Sequence, residues 1–388
     1  MKKNIFIVLL GLIITVLLLL LATYNVPSLI KGDIEKKIAN KSAKTVNFCD
    51  SAISNVRYDH LGYEWIKVTC NAAFSARDGA GALVYKDAMW LLGGWNPSDK
   101  INFPKACNNE VWKSGDGLNW ILIKANTFGK DNFDSLNDWE GRHGAGFVVF
   151  KNRMWIIGGD ANQQKYQNDI WNSEDGVNWE RILQQAPWYP RAASQVVVFN
   201  NKIWVFGGQT MDSVEDHKQQ YFADAWSSEN GKDWQHHIAG NTHWLPRGMI
   251  IGQAALNKKL WILGGATYSN EKGVVKNYYN DVWSTKNGAD WKCELLQAPW
   301  EQRCYQNVIS WDKKIWIIGG ANGQFNEAWN RNDMWYSADG KFWQELNNIP
   351  WQSRHASSIY DFKGSLWIVS GNNLESDVWR LSKIKPEI

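Results

Sequence analysis

The chain has 388 residues, of which 42 are basic and 39 acidic, so its formal net charge of +3 is small for its size. A nearly balanced charge argues against a nucleic-acid partner, and only nine prolines argue against a proline-rich disordered chain. The 26 tryptophans are several times the usual content of a protein of this length, which predicts a repeated tryptophan motif.

Residues 1–24 are predicted to be a membrane anchor. Lys2 and Lys3 precede an uncharged run from Ile5 to Ala22, which as a helix would cross most of a hydrocarbon layer roughly 30 Å thick. We expect a retained single-pass signal-anchor, with the two lysines in the cytoplasm and the remainder on the periplasmic or cell-surface side. The alternative is cleavage near Ala22, which would release a secreted protein.

Residues 25–57 are polar and mixed in charge, and are predicted to form a stalk or linker.

Five cysteines in an exported chain permit disulfides but leave one thiol over. Cys293 and Cys304 are one candidate pair, and any two of Cys49, Cys70 and Cys107 are another. There is no Cys-x-x-Cys motif and no histidine-rich tract, so we expect neither a metal nor another cofactor.

A repeat with a period near 50 residues begins after Trp65. Such periods indicate propellers and related repeat folds. Each copy has an arginine, an apolar stretch, a short polar turn and a second apolar stretch that ends in Gly-Gly, as in Ser194 to Gly208, or in Ser370-Gly371 in the last copy. This pattern predicts a buried β-hairpin. The arginines that mark the copies are Arg77, Arg142, Arg191, Arg247, Arg303 and Arg354.

A third strand is predicted at an Asp/Glu-x-Trp triplet in every copy, and a fourth follows after Asp-Gly or Asn-Gly in five copies. We expect these dipeptides to form two-residue type I′ turns. The sixth copy ends without a fourth strand, but the segment from Gly62 to Val68 has the matching Gly-x-x-Trp spacing. The sequence therefore predicts an all-β, six-bladed propeller over residues 58–388, its last blade closed by the N-terminal strand.

These repeats resemble the kelch family, whose members carry a double glycine after the second strand and an aromatic residue in the fourth. The resemblance covers about residues 58–382. Here the second-strand aromatic is tryptophan in every copy: Trp90, Trp155, Trp204, Trp261, Trp316 and Trp367. The resemblance implies a β-propeller, and the chain is also similar to exported bacterial kelch-like proteins.

The two faces of the predicted ring differ. In a four-stranded antiparallel blade, the second-to-third and fourth-to-first connections emerge on one face, which we name the long-loop face. It collects residues 95–109, 209–223, 266–280 and 321–332, whereas the opposite plain face has only short turns. Because variable loops on a rigid scaffold usually carry binding, we expect the ligand at the long-loop face. We also expect the stalk to enter at the plain face, which would point the long-loop face away from the membrane.

The repeat arginines start the innermost strands on the long-loop face and are predicted to ring the mouth of the central channel. They could hold a carboxylate or phosphate, or they could simply tie the blades together. The aromatic residue three positions before each arginine could stack on a sugar or cap a cation; after Phe74 these are Trp139, Trp188, Trp244, Trp300 and Trp351. Trp95 and Trp329, in the long loops, are further candidates. The predicted partner is a carbohydrate, an anionic small molecule or a protein.

An enzyme is the competing hypothesis. The most plausible is a sugar isomerase or mutarotase, like the exported six-bladed kelch mutarotases, with Glu140, Glu301 or His143 as its acid or base. The copper-ligand constellation of the galactose-oxidase-like enzymes, which share this scaffold, is not found in the sequence.

Overall fold

The computed structural model describes residues 55–96, 106–161, 165–211, 218–238, 243–268, 275–323 and 329–384. Regular structure within these ranges consists of strands alone. Over the same ranges, no helix is long and apolar enough to span a bilayer. The predicted anchor at residues 1–24, and the stalk as far as residue 54, lie outside the described residues.

The strands form six antiparallel blades, which confirms the predicted propeller. Strands β1 (Asn55–Tyr58) and β2 (Tyr63–Thr69) belong to blade 6. Blade 1 contains β3 (Gly81–Tyr85), β4 (Ala88–Leu92), β5 (Val111–Ser114) and β6 (Ile121–Lys124). Blade 2 contains β7 (Gly146–Phe150), β8 (Arg153–Ala161), β9 (Lys165–Ser173) and β10 (Glu180–Leu183). Blade 3 contains β11 (Gln195–Phe199), β12 (Lys202–Phe206), β15 (Ala225–Ser228) and β16 (Gln235–His237), and carries the small hairpin β13 (Gln209–Thr210) and β14 (Gln220–Tyr221).

The remaining blades follow the same order. Blade 4 contains β18 (Ala255–Leu256), β19 (Lys259–Tyr268), β20 (Val275–Thr285) and β21 (Trp291–Leu295), preceded by the short strand β17 (Ile251–Gln253). Blade 5 contains β22 (Asn307–Trp311), β23 (Lys314–Ile318), β24 (Met334–Ser337) and β25 (Gln344–Leu346). Blade 6 contains β26 (Ser358–Phe362), β27 (Ser365–Val369) and β28 (Val378–Lys383), completed by β2.

The N-terminal strand closes the ring, as predicted. Strand β2 pairs antiparallel with β28, with Trp65 opposite Leu381. Without β2, the backbone groups of β28 would form an open sheet edge. Trp65 is completely buried and meets Trp351 edge to face at 6.3 Å between ring centroids, so the closing strand also supplies blade 6 with its fourth-strand tryptophan.

Strand β1 was not predicted, and it changes where the chain enters. It pairs antiparallel with the outer edge of β2, with Asn55 opposite Ile66 and Tyr58 opposite Tyr63. The chain therefore runs toward the plain face along β1, turns there, and returns along β2. The chain does enter the closing strand β2 at the plain face, as expected, but the first described residue, Asn55, already lies partway up the blade. The inference that the long-loop face points away from the membrane therefore no longer follows from the point of entry.

The predicted type I′ turns are also misplaced. In the link between β5 and β6 only Gly117 has a positive φ, of 77°. Ser114 Oγ accepts hydrogen bonds from the amides of Asp116 and Gly117, and Asp116 Oδ1 accepts from the next two amides. These side-chain bonds build a six-residue turn in place of a two-residue one. Two successive positive φ angles occur instead between first and second strands, as at Asn200 (49°) and Asn201 (55°).

Second-strand tryptophans join neighbouring blades. The Trp204 ring of blade 3 lies over Gly288 of blade 4, where an added Cβ would come within 2.1 Å of it. The same fit recurs at Gly117, Gly176, Gly231 and Gly340, each beneath a tryptophan of the preceding blade. Each glycine is thus needed for a positive φ and for the close approach of an indole. The second-strand tryptophans therefore serve packing between blades at these positions.

The innermost strand of blade 4 is interrupted. Strand β17 pairs in parallel with β22 of blade 5, and only the two-residue β18 pairs with β19. Gly252 permits this crossing, since its φ is 130° and an added Cβ would fall 2.0 Å from the carbonyl oxygen of Val308. The repeat pattern alone predicted an ordinary hairpin here.

The cysteine prediction is partly wrong. Cys293 and Cys304, the suggested pair, are both free thiols, and so is Cys107. Cys304 is fully buried and donates to the carbonyl oxygen of Ala321 at 3.5 Å. Cys70 is disulfide-bonded.

Candidate ligand-binding site at the channel mouth

Each repeat arginine is buried in a clamp within its own blade. Arg303 Nη1 and Nη2 donate to the two carboxylate oxygens of Asp333 at 2.5 and 2.7 Å, and Nη1 also donates to the carbonyl oxygen of Gly319 at 3.0 Å. Trp335 Nε1 donates to the same carboxylate at 3.0 Å. The clamp therefore joins the starts of the first and third strands to the end of the second, and gives the Asp-x-Trp triplet its role.

The same arrangement holds in the other five blades. The arginines are at most 3% exposed. Their carboxylate partners are Glu110 for Arg77, Asp169 for Arg142, Asp224 for Arg191, Asp281 for Arg247 and Asp377 for Arg354. Only blade 1 departs from the bidentate pairing. There a glutamate replaces the aspartate and accepts from Arg77 Nη2 alone, while Arg77 Nη1 donates to Asn108 Oδ1 at 3.1 Å. In each blade the arginine and its carboxylate offset each other's charge, and the predicted ligand-binding role of these arginines stays a prediction.

The aromatic residues three positions before the arginines are also buried. Trp300 packs edge to face on Trp343 of the same blade, with ring centroids 4.4 Å apart. Phe74, Trp139, Trp188, Trp244 and Trp351 meet their own fourth-strand tryptophans in the same geometry, at 4.7 to 6.3 Å. Edge-to-face contacts of this kind stabilise cores. The structure places these rings inside the blades, and their predicted contact with a ligand is likewise untested.

Trp95 and Trp329 lie on the long-loop face, as predicted for them. Trp95 follows the glycine pair of blade 1, is half-buried, and pairs through its backbone with Asp78. Its ring lies 6.3 Å from that of His143. Trp329 is 37% exposed and covers Gly323, where an added Cβ would come within 2.4 Å of its ring.

A belt of backbone hydrogen bonds surrounds the long-loop end of the channel. It consists of the residue two positions after each arginine, and all six have φ between 49° and 59°. Five bonds join consecutive members, from Gly144 to Gly79, Ala193 to Gly144, Gly79 to Ala356, Ala356 to Tyr305 and Tyr305 to Met249. Among the described residues no such bond joins Met249 to Ala193, so the belt is open between blades 3 and 4. Left-handed conformations in non-glycine residues are costly, and such strain is frequent at functional sites.

The residue that directly follows each arginine forms the mouth, together with the residue after each glycine pair. These two positions bond to each other across the ends of the first two strands, as in His143 with Asp160 and Ala192 with Gln209. Their identities vary between blades: Asp78, His143, Ala192, Gly248, Cys304 and His355 in one set, and Trp95, Asp160, Gln209, Ala266, Ala321 and Asn372 in the other. Below the belt, the innermost strands line a cavity of about 340 Å³ with mainly small and aliphatic side chains.

One side of the mouth carries a titratable cluster. Cys107 Sγ lies 3.4 Å from His143 Nδ1, and Asn372 donates to Asp78 Oδ2 at 2.6 Å. Burial raises the pKa of Asp78 to about 6, although the nearby His143 opposes the shift. Burial alone would lower the pKa of His143, but Cys107 and the two carboxylates beside it raise that pKa to about 10.

The other side carries a tyrosine cluster. Tyr268 and Tyr305 bring their hydroxyls within 3.3 Å of each other, and Tyr221 Oη accepts from the amide of Tyr268 at 2.5 Å. Tyr305 stacks on His355 with ring centroids 5.3 Å apart. Tyr166 reaches the cluster from blade 2, where it interacts electrostatically with Tyr268 and Tyr305. Side chains from five blades thus meet above the channel.

The two glutamates considered as catalytic groups form ion pairs with cationic side chains. Glu140 Oε1 accepts from Lys165 at 2.6 Å, and Glu301 forms an ion pair with Arg331 at 2.5 Å. His143 alone of the three candidates belongs to the titratable cluster. In the part of the chain that the structure describes, no three His, Cys, Asp or Glu side chains are placed to hold a metal ion.

Sequence reasoning missed most of the mouth, including Asp78, Cys107, Asp160, Gln209 and the tyrosines. A signal was present in the comparison of the repeats with one another. The arginine and the glycines recur in nearly every copy, whereas the positions directly after them vary from aspartate to histidine to alanine. Positions that differ between copies of a repeated framework, on the face with the long loops, are where a binding site is built. No protein-family model matches the chain.

Proposed function

We propose that this protein is a membrane-anchored binding module that displays its propeller on the extracytoplasmic side and recognises a carbohydrate, an anionic small molecule or a protein at the long-loop face. One observation carries the proposal. Polar and aromatic residues that vary between blades converge on one mouth, while the framework that holds them is nearly the same in every blade. The resemblance to kelch repeats supports the same reading, and propellers in general serve as binding scaffolds.

The clamps explain how the site would stay organised. Each buried arginine holds the start of a first strand directly beside a mouth residue, as Arg142 does for His143. A ligand site is most effective when rigid elements hold its contact groups in place. In this proposal the arginines act mainly as positioning residues, whereas Trp95, Trp329 and the tyrosine cluster contact the ligand directly.

The chemistry of the mouth suits a ligand with hydroxyl groups. Tyrosine hydroxyls both donate and accept hydrogen bonds, and aromatic faces pack against the apolar faces of sugar rings. The half-buried indole of Trp95 beside the ring of His143 provides such a surface. A protein partner could use the same groups, since tyrosine and tryptophan are enriched in interfaces.

The proposal is tested by ligand screening of the full-length chain by thermal shift and calorimetry. Trp95→Ala and Tyr305→Phe should each weaken binding of whichever compound or partner is found. Lys86→Ala, in an exposed turn of the plain face, is the control and should leave affinity unchanged. Binding that survives both mouth variants but is lost in the control would show that the long-loop face is not the site. Membrane anchoring is tested separately by fractionation of cells that express the full-length chain.

A sugar isomerase is the second candidate function, and it is favoured by the His143 cluster. Mutarotation requires an acid and a base on opposite sides of a hemiacetal, and a buried imidazole beside a carboxyl group can supply a proton-transfer pair. Exchange between the anomers of reducing sugars, followed by NMR, would test it. Acceleration that is lost in His143→Gln would establish the activity; no acceleration for any sugar that binds would leave a binding module.

A further inference from the structure

Several buried polar groups on the long-loop face have no partner. Five side chains there have buried polar atoms that form no hydrogen bond with any described residue. These atoms are Trp95 Nε1, Gln167 Oε1, Gln209 Oε1, Gln306 Oε1 and both amide atoms of Asn373. An unpaired buried polar atom destabilises the fold, so native structures usually satisfy such atoms with water or a ligand. Other unpaired buried atoms lie within the blades, such as the indole nitrogens of Trp139 and Trp300. The five named here belong instead to the loops and strand ends around the mouth, which points to a bound polar molecule.

Gln209 is the best placed of the five. It follows the glycine pair of blade 3 and is 5% exposed. Its Oε1 would lie 2.2 Å from a Cβ added at Gly248, the mouth residue of blade 4. The amide therefore occupies the side-chain space that Gly248 leaves open, next to the opening of the belt between Ala193 and Met249. A free carbonyl acceptor at this point requires a donor from the ligand.

The five unpartnered groups are all neutral amides or indoles. A carboxylate or a fully ionised phosphate group has acceptors only, so that group could not serve the free carbonyl oxygens of Gln167, Gln209 and Gln306. A sugar hydroxyl donates and accepts, and can complement both the carbonyl oxygens and the indole of Trp95.

The charges around the mouth also disfavour an anion. The six guanidinium groups are paired with carboxylates of their own blades. Two further cations, Lys165 and Arg331, are paired with Glu140 and Glu301. The mouth itself carries Asp78 and Asp160, with His143 between them in the chain and in the cluster. Two carboxylates against one imidazolium leave this side of the mouth with a net negative charge, so a further negative charge placed beside them would be repelled.

We propose that the mouth selects neutral hydroxylated ligands, such as an uncharged sugar unit, over their carboxylate- or phosphate-bearing counterparts. This inference rests on the proposed function and narrows it, because it removes the anionic ligand that the arginine ring first suggested. Gln209 Oε1 accepts a hydroxyl proton of the ligand, and Trp95 Nε1 donates to a hydroxyl oxygen. Asp78 and Asp160 exclude acidic sugars.

The experiment compares matched ligands that differ only in charge. Full-length protein in a polyoxyethylene detergent, which has no sugar headgroup to compete, is titrated by calorimetry with glucose and glucuronate, galactose and galacturonate, and inorganic phosphate. We expect the neutral member of a pair to bind at least tenfold more tightly than the acid. Gln209→Leu should weaken binding of the neutral sugar roughly 3- to 10-fold through the lost hydrogen bond. Gln209→Glu, which keeps a hydrogen-bond acceptor, should retain binding of the neutral sugar. Asp78→Asn should raise the affinity for the acidic sugars, glucuronate and galacturonate.

The matched control is Gln235→Leu, since Gln235 lies exposed on the outer strand of blade 3 and its loss should change nothing. Melting temperatures of all variants verify folding. Equal or tighter binding of the acidic sugars or phosphate would overturn the inference while leaving the proposed binding function intact. Neutral-sugar binding that Gln209→Leu does not weaken would place the sugar elsewhere and also overturn it. Absence of binding by every probe would overturn both the inference and the small-molecule part of the proposed function.

Discussion

Removal of one clamp arginine should destabilise the propeller strongly. Arg303→Ala deletes both hydrogen bonds to the Asp333 carboxylate, at 2.5 and 2.7 Å, and the bond to the carbonyl oxygen of Gly319. It leaves that carboxylate mostly buried, with its side chain 22% exposed and the Trp335 indole still donating to it. The arginine is what lowers the pKa of Asp333, against the burial that would raise it.

The expected loss is about 3–5 kcal/mol at neutral pH, because removal of one partner strands a buried charge. Much of it should be recovered by Arg303→Ala with Asp333→Asn, which removes the stranded charge as well. The sign of the pH dependence of stability follows from the lowered pKa of Asp333 in the folded protein. A carboxyl whose folded pKa lies below its unfolded value stabilises above that unfolded value, about 3.9, and this contribution disappears as the pH falls through the folded pKa. The difference between wild type and Arg303→Ala should therefore narrow below about pH 4.

The assay is urea unfolding followed by tryptophan fluorescence, since most of the tryptophans are buried. Arg57→Ala is the matched control, because Arg57 pairs with Asp59 at 3.1 Å while both side chains are more than half exposed. Its loss should cost no more than about 1 kcal/mol. The structural reading of the clamps would be refuted if Arg303→Ala were as stable as the control and yet lost ligand binding.

Three further predictions concern packing, pH and closure. Gly288→Ala should destabilise by more than Gly62→Ala in urea unfolding, because both have a positive φ but only Gly288 lies under an indole; equal losses would contradict the packing argument. His143, with its pKa raised to about 10 in the fold, should stabilise fully below its unfolded value of about 6.5, and lose this contribution as the pH rises toward 10. His143→Gln should therefore flatten the measured decline in unfolding free energy between pH 6.5 and 10, and an unchanged slope would refute the assignment. Trp65→Ala should cost about 3–5 kcal/mol as a buried large-to-small change; near wild-type stability in the same assay would mean that β2 does not close the ring.

The repeat itself determined the fold. Six copies of an arginine and an Asp/Glu-x-Trp triplet, five of them with a glycine pair, require six equivalent blades. The missing fourth strand of the last copy left only one segment, around Trp65, that could close the ring. These predictions succeeded because each depends on local pattern and on the need to pair every strand edge. The short-range pattern did not settle turn geometry, since serine and aspartate side chains replaced the expected backbone turn after β5.

Tertiary structure decided what the arginines do and where the site lies. Sequence placed Arg303 and Asp333 in one repeat but could not show that the carboxylate reaches the guanidinium, because 30 residues separate them and the contact forms only when the first three strands align. Likewise, Tyr166 meets Tyr268 and Tyr305 from different blades only because the ring closes. The residues of the mouth come from every blade. Their proximity therefore depends on the curvature of the closed ring and cannot be read from their spacing along the chain.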